Sequence, residues 1–308
     1  MRIAVEGCCH GELDRIYAAL KHLERVENIT IDLLLVCGDF QPVRNMGDLS
    51  VLACPDRYRS LGTFHQYYDG SKVAPFPTLF VGGNHEASNY LWELYHGGWA
   101  APNIYFLGMA GVINFGGLRI GGLSGIYKQQ HYEQGYPESQ PYNDNEARSI
   151  YHVRKYNIHR IAQIRDPIDI IMTHDWPRGI AHHGNTRQLI ARKPFLSGEI
   201  NSNTLGSYPS EYLLKKLRPD FWFAAHLHVK FAAIYRHDNA TAELTKFLSL
   251  DKCLPNRDFL QVLDFPEATG PLVFSYDEEW LAIIRASHEY LTLSKVQKRL
   301  PDDETARA

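Results

Sequence analysis

Five short segments of the sequence carry side chains that could bind metal ions. They are GCCHG at 7–11, CGDF at 37–40, GGNHE at 82–86, MTHDWP at 172–177 and AAHLH at 224–228. Imidazole, carboxylate, amide and thiolate groups are ligands for first-row divalent ions. Each segment alone is weak evidence, and GCCHG by itself fits a redox pair or a structural role equally well. Their recurrence predicts a shared metal centre if the fold brings them together.

Each of these segments ends an apolar run that predicts a buried β-strand. The runs are residues 3–6, 32–37, 78–81, 169–172 and 221–225. Apolar residues at helical spacing predict an amphipathic helix at 13–26. Alternating strands and helices predict a parallel sheet flanked by helices, and shorter connections later in the chain predict a mixed or antiparallel second sheet. Ligands bind at the carboxyl ends of strands in open α/β sheets, so the five segments can converge there.

The remaining segments are assigned from the same patterns. Further strands are predicted at 103–107, 112–115, 118–120, 229–235 and 259–265, a helix at 277–293, and a disordered end at 301–308.

Composition narrows the functional class. The chain has 308 residues and a formal net charge of −3, so nucleic-acid binding would need a local basic patch. Its five cysteines form no regular framework, which predicts a reducing compartment. Neither a signal peptide nor an apolar run of membrane-spanning length is visible, which predicts a soluble, intracellular protein with no membrane association.

The ordered motifs resemble a known family. CCH, GDF, GGNHE, THDWP and AHLH resemble the motifs of the calcineurin-like metallophosphoesterases. Longer strings, including GCCHGELD, GGNHEASN, RSIYHVR, THDWPRGI and AHLHVKFAA, are similar to those of the RNA lariat debranching enzymes. The resemblance implies an α/β fold, a sandwich of two mixed β-sheets flanked by helices. It implies a catalytic domain at 1–265 with a recognition insertion at about 127–156, followed by a strand and helix extension at 266–308.

The resemblance also implies two divalent metal ions, Fe²⁺, Zn²⁺ or Mn²⁺, in neighbouring sites that share Asp39. Site A would comprise His10, Asp39 and His228, with Cys8 at the remaining position, and site B would comprise Asp39, Asn84, His174 and His226. Ligation by Cys8 would favour zinc or ferrous iron over magnesium, and a Cys8 that does not ligate would leave site A weak; both alternatives remain open. His85 is the expected general acid. Glu86 is expected to cap the following helix, or else to orient His85.

Substrate recognition is assigned to a basic stretch within and after the insertion. If residues 147–165 form one helix, Arg148, His152, Lys155 and His159 share an exposed face. Tyr127 and Arg154 join Arg148 and His152 as expected substrate-binding residues, because cations beside aromatic rings suit single-stranded RNA. By resemblance, the substrate is branched lariat RNA. Hydrolysis of the 2′,5′ bond would leave a 2′-hydroxyl on the branch nucleotide and a 5′-phosphate on the released strand.

Two other function classes remain compatible with the sequence. One is a metallophosphoesterase acting on phosphoproteins or small phosphodiesters, and the other is a metal-free protein-binding scaffold. No obligatory protein partner is predicted. A splicing product as substrate predicts residence in the nucleus, with shuttling to the cytoplasm as an alternative.

Overall fold

The computed structural model describes residues 1–237 and 243–302. Its strands are β1 Arg2–Glu6, β2 Leu33–Val36, β3 Thr78–Phe80, β4 Gly98–Ala101, β5 Ile104–Phe106, β6 Ala110–Phe115, β7 Leu118–Leu123, β8 Ile170–Thr173, β9 Phe221–Ala224, β10 Phe231–Arg236, β11 Leu244–Ser249, β12 Leu260–Asp264 and β13 Ser275–Tyr276. Its α-helices are α1 Leu13–Glu27, α2 Met46–Ser50, α3 Phe64–Tyr68, α4 Ser88–Glu93, α5 Gln129–Tyr132, α6 Asp144–Ala147, α7 Lys155–Ile161, α8 Thr186–Arg192, α9 Ser197–Asn201, α10 Tyr208–Leu217 and α11 Glu278–Ser287. Short 3₁₀ helices lie at Asp56–Tyr58, Ile180–His183, Pro194–Leu196 and His288–Tyr290.

The strands form two mixed sheets. The first has the order β12-β1-β2-β3-β5-β4, in which β1, β2, β3 and β5 are parallel and the two edge strands are antiparallel to their neighbours. The second has the order β10-β11-β9-β8-β7-β6-β13, with parallel pairing from β11 through β9 and β8 to β7. The predicted sandwich of two mixed β-sheets is confirmed.

The core lies in three layers. Between the sheets, fully buried aliphatic side chains such as Val5, Leu35 and Met172 pack together. The outer face of the first sheet is covered by a cluster that includes Leu20 of α1, and that of the second sheet by a cluster that includes Leu213 of α10. Central parallel strands are buried on both faces, which explains why β1 and β2 are continuous apolar runs.

The strand predictions at the five ligand-bearing segments are confirmed to within about two residues. Three strands were missed: β4 contains a glycine, β13 has two residues, and β11 alternates buried and partly exposed side chains rather than forming an apolar run. The helix predicted at 277–293 is too long, since α11 ends at Ser287 and continues as a single 3₁₀ turn. The predicted disordered end falls largely on 303–308, outside the described residues. No helix within 1–237 and 243–302 is long and apolar enough to cross a bilayer.

The chain after residue 259 contributes one strand to each sheet. β12 pairs with β1 along its whole length, from Arg2 opposite Asp264 to Glu6 opposite Leu260. β13 pairs with β6 at the far edge of the second sheet. Residues near the end of the described chain therefore complete the fold that positions the N-terminal motifs.

Candidate metal centre

The predicted ligands lie in tight loops at the carboxyl ends of β1, β2, β3, β8 and β9. Four of them have left-handed backbone conformations: His10 at φ 49°, Asp39 at 46°, His226 at 65° and His228 at 49°. Non-glycine residues rarely adopt this region, and it concentrates at functional sites where the surrounding structure holds the strain. The loops are thus shaped to turn these side chains into one cluster.

One group of donors corresponds to site A. The ligand atoms of Cys8, His10, Asp39 and His228 all lie within 4.8 Å of one another. Nε2 of His10 is 3.2 Å from Nε2 of His228 and 3.6 Å from Oδ2 of Asp39. The Gln41 side-chain amide lies 3.2 Å from Nδ1 of His10 and holds the ring.

The other predicted ligands form a second group on the opposite side of Asp39. Nε2 of His174 is 3.4 Å from Oδ1 of Asp39 and 3.2 Å from Oδ1 of Asn84. The His226 ring lies 5.0 Å from that of His174, centroid to centroid. Asp39 therefore directs one carboxylate oxygen to each group, which is the geometry of a bridging ligand.

The protonation states of the second group fit a cation. Nδ1 of His174 donates a hydrogen bond to the Cys37 carbonyl at 2.8 Å, so in the neutral ring Nε2 presents a lone pair. Burial lowers the pKa of His174 to about 4, and the nearby histidines hold the pKa of Asp39 well below its usual range. A lone pair, a carboxylate oxygen and an amide oxygen then meet without a proton between them. Such a set of acceptors matches a bound metal ion.

The first group fits in the same way. Burial lowers the pKa of His10, and that of His228 to about 3, so both rings are neutral as metal ligation requires. Burial and the charge of Asp39 raise the pKa of the Cys8 thiol, and its sulfur accepts the backbone N–H of His226 at 3.2 Å. A bound cation reverses that shift, because a coordinating thiol is deprotonated.

Two glycines allow the loops to approach this closely. A Cβ on Gly38 would lie 2.3 Å from Nδ1 of His174, and one on Gly83 would lie 2.2 Å from Oδ1 of Asp39. Neither neighbour can retreat without moving a ligand. The glycines before Asp39 and Asn84 are therefore part of the site.

Glu86 has a role that the sequence did not predict. Its buried carboxylate accepts three backbone N–H groups, from Phe40 at 2.8 Å, Gln41 at 2.7 Å and Gly83 at 2.7 Å. Burial and the charge of Asp39 raise its pKa to about 8. The expected helix cap is wrong, because α4 begins at Ser88 with Ala87 at its N-cap. The alternative of orienting His85 has no contact to support it; Glu86 instead ties the Asp39 loop to the Asn84 loop.

His85 lies at the edge of the cluster with its ring 5.7 Å from that of His10. Its Nδ1 donates to the Ala53 carbonyl at 3.1 Å, which leaves Nε2 as the nitrogen available for proton transfer. Its backbone N–H, like that of Asn84, is bonded to Asp39 Oδ1 at 2.9 Å. One contact thus fixes the ring and the other fixes the backbone that carries it.

The single basic helix predicted at 147–165 is wrong. α6 ends at Ala147 and α7 begins at Lys155, and between them His152 forms an isolated β-bridge with Ile126. This bridge holds the backbone extended, so helical periodicity does not carry across it. The predicted shared face of basic residues is absent.

Substrate-binding residues predicted in this stretch separate into buried and accessible ones. Arg154 is fully buried and pairs with Glu138 at 2.5 Å, which excludes direct contact with RNA in this structure. His152 is also buried, with its Nδ1 2.7 Å from that of His131, and burial lowers its pKa to about 3. Arg148 is exposed and Tyr127 is half-buried, so these two can reach a ligand.

The insertion is joined to the second group of donors. The backbone N–H of Tyr127 donates to Asp175 at 3.1 Å, next to His174 in sequence. Burial raises the pKa of the Asp175 carboxyl, and the nearby His226 ring opposes part of that shift. Tyr127 therefore starts the insertion beside site B.

Comparisons with known proteins agree with this site. The family described as "Calcineurin-like phosphoesterase" matches residues 1–230, and "Lariat debranching enzyme, C-terminal domain" matches residues 242–308. The lariat debranching enzyme of Arabidopsis thaliana is 53% identical over 295 residues, covering 96% of this chain and 70% of its own length. The chain belongs to the lariat debranching enzyme family. Divalent metal ions are implied for this family by its phosphoesterase domain, in agreement with the donor cluster.

Other members of the lariat debranching enzyme family are longer than this chain. The Homo sapiens relative is 51% identical over all of this chain, which spans 58% of that protein. The Danio rerio relative is 55% identical over 93% of this chain, which spans 51% of that protein. A solved structure with 13% identity and a TM-score of 0.50 covers 89% of this chain and shows the fold alone. The domain boundary predicted at 265 stays a prediction.

Proposed function

We propose that this chain hydrolyses the 2′,5′-phosphodiester bond at the branch point of excised intron lariat RNA. The observation that carries the proposal is the cluster itself: one carboxylate oxygen of Asp39 faces His10 and the other faces His174, in a chain of this family. We propose Fe²⁺, Zn²⁺ or Mn²⁺ as the ions, because imidazole, amide, carboxylate and thiolate together suit first-row metals better than calcium or magnesium.

Cys8, His10, Asp39 and His228 would hold one ion, and Asp39, Asn84, His174 and His226 the other. Ions bound there would neutralise the charge of the phosphodiester and acidify water. We include Cys8 as a ligand because its sulfur lies with three other donors within 4.8 Å.

The protein's own residues set the outcome of the reaction. A water oxygen forms a new bond to phosphorus while the bond from phosphorus to the 2′-oxygen breaks. When both ring nitrogens carry protons, His85, whose Nδ1 donates to the Ala53 carbonyl, is placed to give its Nε2 proton to the departing 2′-oxygen, while the attacking water releases one proton to solvent. The products are a branch nucleotide with a free 2′-hydroxyl and a strand with a 5′-phosphate.

The test is incubation with a synthetic 2′,5′-branched RNA and, separately, iron, zinc, manganese or magnesium, with linear 3′,5′ RNA as the control substrate. Cleavage only at the 2′,5′ bond supports the proposal. If the metal-loaded protein cleaves neither RNA but hydrolyses a phosphopeptide or a small phosphodiester, the chain has a different metallophosphoesterase activity.

The role of His85 is tested by His85→Ala beside His22→Ala, which changes an exposed histidine of α1. We expect His85→Ala to keep metal and RNA binding while turnover falls about 10²- to 10⁴-fold. Unchanged turnover would remove His85 from the acid role.

We also propose nuclear residence, since the substrate arises by splicing; a fluorescent fusion that stays in the cytoplasm would contradict it.

A further inference from the structure

A groove of about 340 Å³ leads away from His228, on the site A side of the metal centre. Four cationic side chains line it, with two carboxylates from Asp251 and Asp258. The cations are Arg192, Lys193, Lys230 and Arg257. A net positive groove in a chain of formal charge −3 is a local concentration of cations rather than a general property of the surface.

These cations are only weakly compensated. In the described part of the chain, Arg192 and Lys193 form no ion pair, and Lys230 donates to the neutral Gln261 amide at 2.9 Å. Arg257 lies 3.4 Å from Asp251, but Arg257 is half exposed and such pairs contribute little. Burial together with neighbouring cations lowers the pKa of Lys193. The groove therefore holds positive charge that an anionic ligand would neutralise.

The groove is joined to the metal centre through the strand-like segment at 250–253. Lys252 forms a parallel β-bridge with Cys8, and its neighbour Asp251 lines the groove together with His228. The insertion, in contrast, meets the metal centre beside site B through Tyr127 and Asp175. The groove and the insertion thus lie at different ends of the reacting centre.

An exposed aromatic ring stands beside the groove. Phe195 is 75% exposed, and Nζ of Lys193 lies 6.0 Å from its ring centroid. An exposed aromatic residue alone needs no explanation. An exposed ring next to phosphate-directed cations is the pattern by which proteins bind single-stranded nucleic acid.

We propose that this groove binds the sugar-phosphate backbone of one single-stranded arm of the branched RNA, with a base of that arm stacked on Phe195. The inference rests on the proposed function and adds a second recognition surface to the insertion. A branch point has more than one strand to hold, and two surfaces, one beside His228 and one beside Asp175, can fix two of them.

The experiment compares two substrates with metal-loaded enzyme. One is a branched trinucleotide without arms, and the other carries arms of about ten nucleotides, within the usual range of single-strand sites. The variants are Arg192→Ala with Lys193→Ala, and separately Phe195→Ala. The matched control is Lys21→Ala with Arg25→Ala, which removes the same charge from the exposed side of α1.

We expect Phe195→Ala to raise KM for the long-armed RNA about 5- to 150-fold, and Phe195→Tyr to restore it. The double cation variant should raise the same KM and lower the salt slope of binding by about 1.4, or about 0.7 for each phosphate that is no longer neutralised. Both variants and the control should cleave the trinucleotide like the parent protein, with unchanged kcat and melting temperature.

The outcomes separate the two proposals. If the parent protein cleaves neither branched RNA, the proposed function fails. If the parent cleaves both, two results would show that the groove proposal is wrong. The groove variants would either have the parent's KM for the long-armed RNA, or show the same rise in KM for both substrates. Arg192→Ala alone provides the same comparison should removal of the Lys193 side chain, which is partly buried, lower the melting temperature.

Discussion

Replacing Glu86 with glutamine should weaken the metal centre without touching a ligand. Oε1 of Glu86 accepts the N–H groups of Phe40 and Gly83, and Oε2 accepts that of Gln41. A glutamine whose oxygen takes the Oε1 position keeps two of these bonds and turns its NH₂ group towards the Gln41 N–H. The reverse orientation would keep one bond and break two, so the first orientation is expected.

The magnitude follows from the donors left unpaired. One buried N–H without a partner costs about 1–3 kcal/mol, so Glu86→Gln should lower the melting temperature of a chain of this size by about 2–5 °C. Glu86→Ala would leave three such donors at about 3–9 kcal/mol, comparable with the roughly 5–15 kcal/mol that stabilises a whole domain. Glutamine is therefore the informative substitution.

Thermal unfolding and elemental analysis provide the assay. The control is Glu27→Gln, which makes the same substitution at the exposed end of α1. We expect Glu86→Gln to melt earlier and retain less metal after brief chelation, because the Asp39 loop is held less firmly. A Glu86→Gln protein that melts and retains metal like the Glu27→Gln protein would refute the role assigned to Glu86.

The remaining predictions concern the thiol ligand and the insertion. Removing a residue that supports a metal ligand typically lowers metal affinity about 10- to 100-fold. Cys8→Ser removes a ligand itself, so a metal titration should show a larger loss of zinc or iron affinity at site A. Arg154→Ala should destabilise the fold by about 3–5 kcal/mol in denaturant unfolding, because it leaves Glu138 buried without its partner. Arg148→Ala, at an exposed position, should instead leave stability unchanged and weaken branched RNA more than a small phosphodiester. His152 has a folded pKa of about 3 against about 6.5 unfolded, so the unfolded state binds more protons between these values and stability falls as the pH falls. Lowering the pH from about 6.5 to 4 should lower the free energy of unfolding by about 3 kcal/mol through His152, measured by melting at a series of pH values. His152→Asn should abolish this contribution.

Each of these has a matched control. Cys54→Ser changes a cysteine outside the donor cluster, and equal metal affinities for it and Cys8→Ser would show that Cys8 does not ligate. Equal stability changes for the two arginine variants would contradict the separation of buried from exposed roles. His22→Asn should lose stability at low pH as the parent protein does. If His152→Asn loses the same stability at low pH, a group other than His152 causes the loss.

The donors of the metal centre could be predicted because each one follows a strand whose apolar run is visible in the sequence. Asp39 and His174 lie far apart in the chain but at the same sheet edge, and the topology of the sheets then brings them together. The roles of Glu86 and Arg154 could not be predicted in this way. Both depend on partners brought near by loops, and neither backbone N–H donors nor a buried Glu138 leave a periodic signal in the sequence.

At the basic stretch 147–165, by contrast, a clear sequence pattern led to a wrong prediction. Its spacing fits a helix, yet the bridge from Ile126 to His152 keeps the chain extended at that point. A local pattern was outweighed by one long-range backbone contact. Strand β11 was missed for a related reason, since Thr245, Phe247 and Ser249 face the interior and only one of them is strongly apolar.

The pairing of β1 with β12 has a consequence during synthesis. Residues 7–259 are translated between β1 and its neighbour β12, which takes roughly 10 to 50 s at about 5–20 residues per second. Throughout that interval the nascent chain exposes an unpaired apolar edge, and it lacks His226 and His228 for nearly as long. Exposed edges of this kind invite pairing with other chains, so a growing polypeptide of this design depends on rapid protection, and metal can be enclosed only after His228 has been translated.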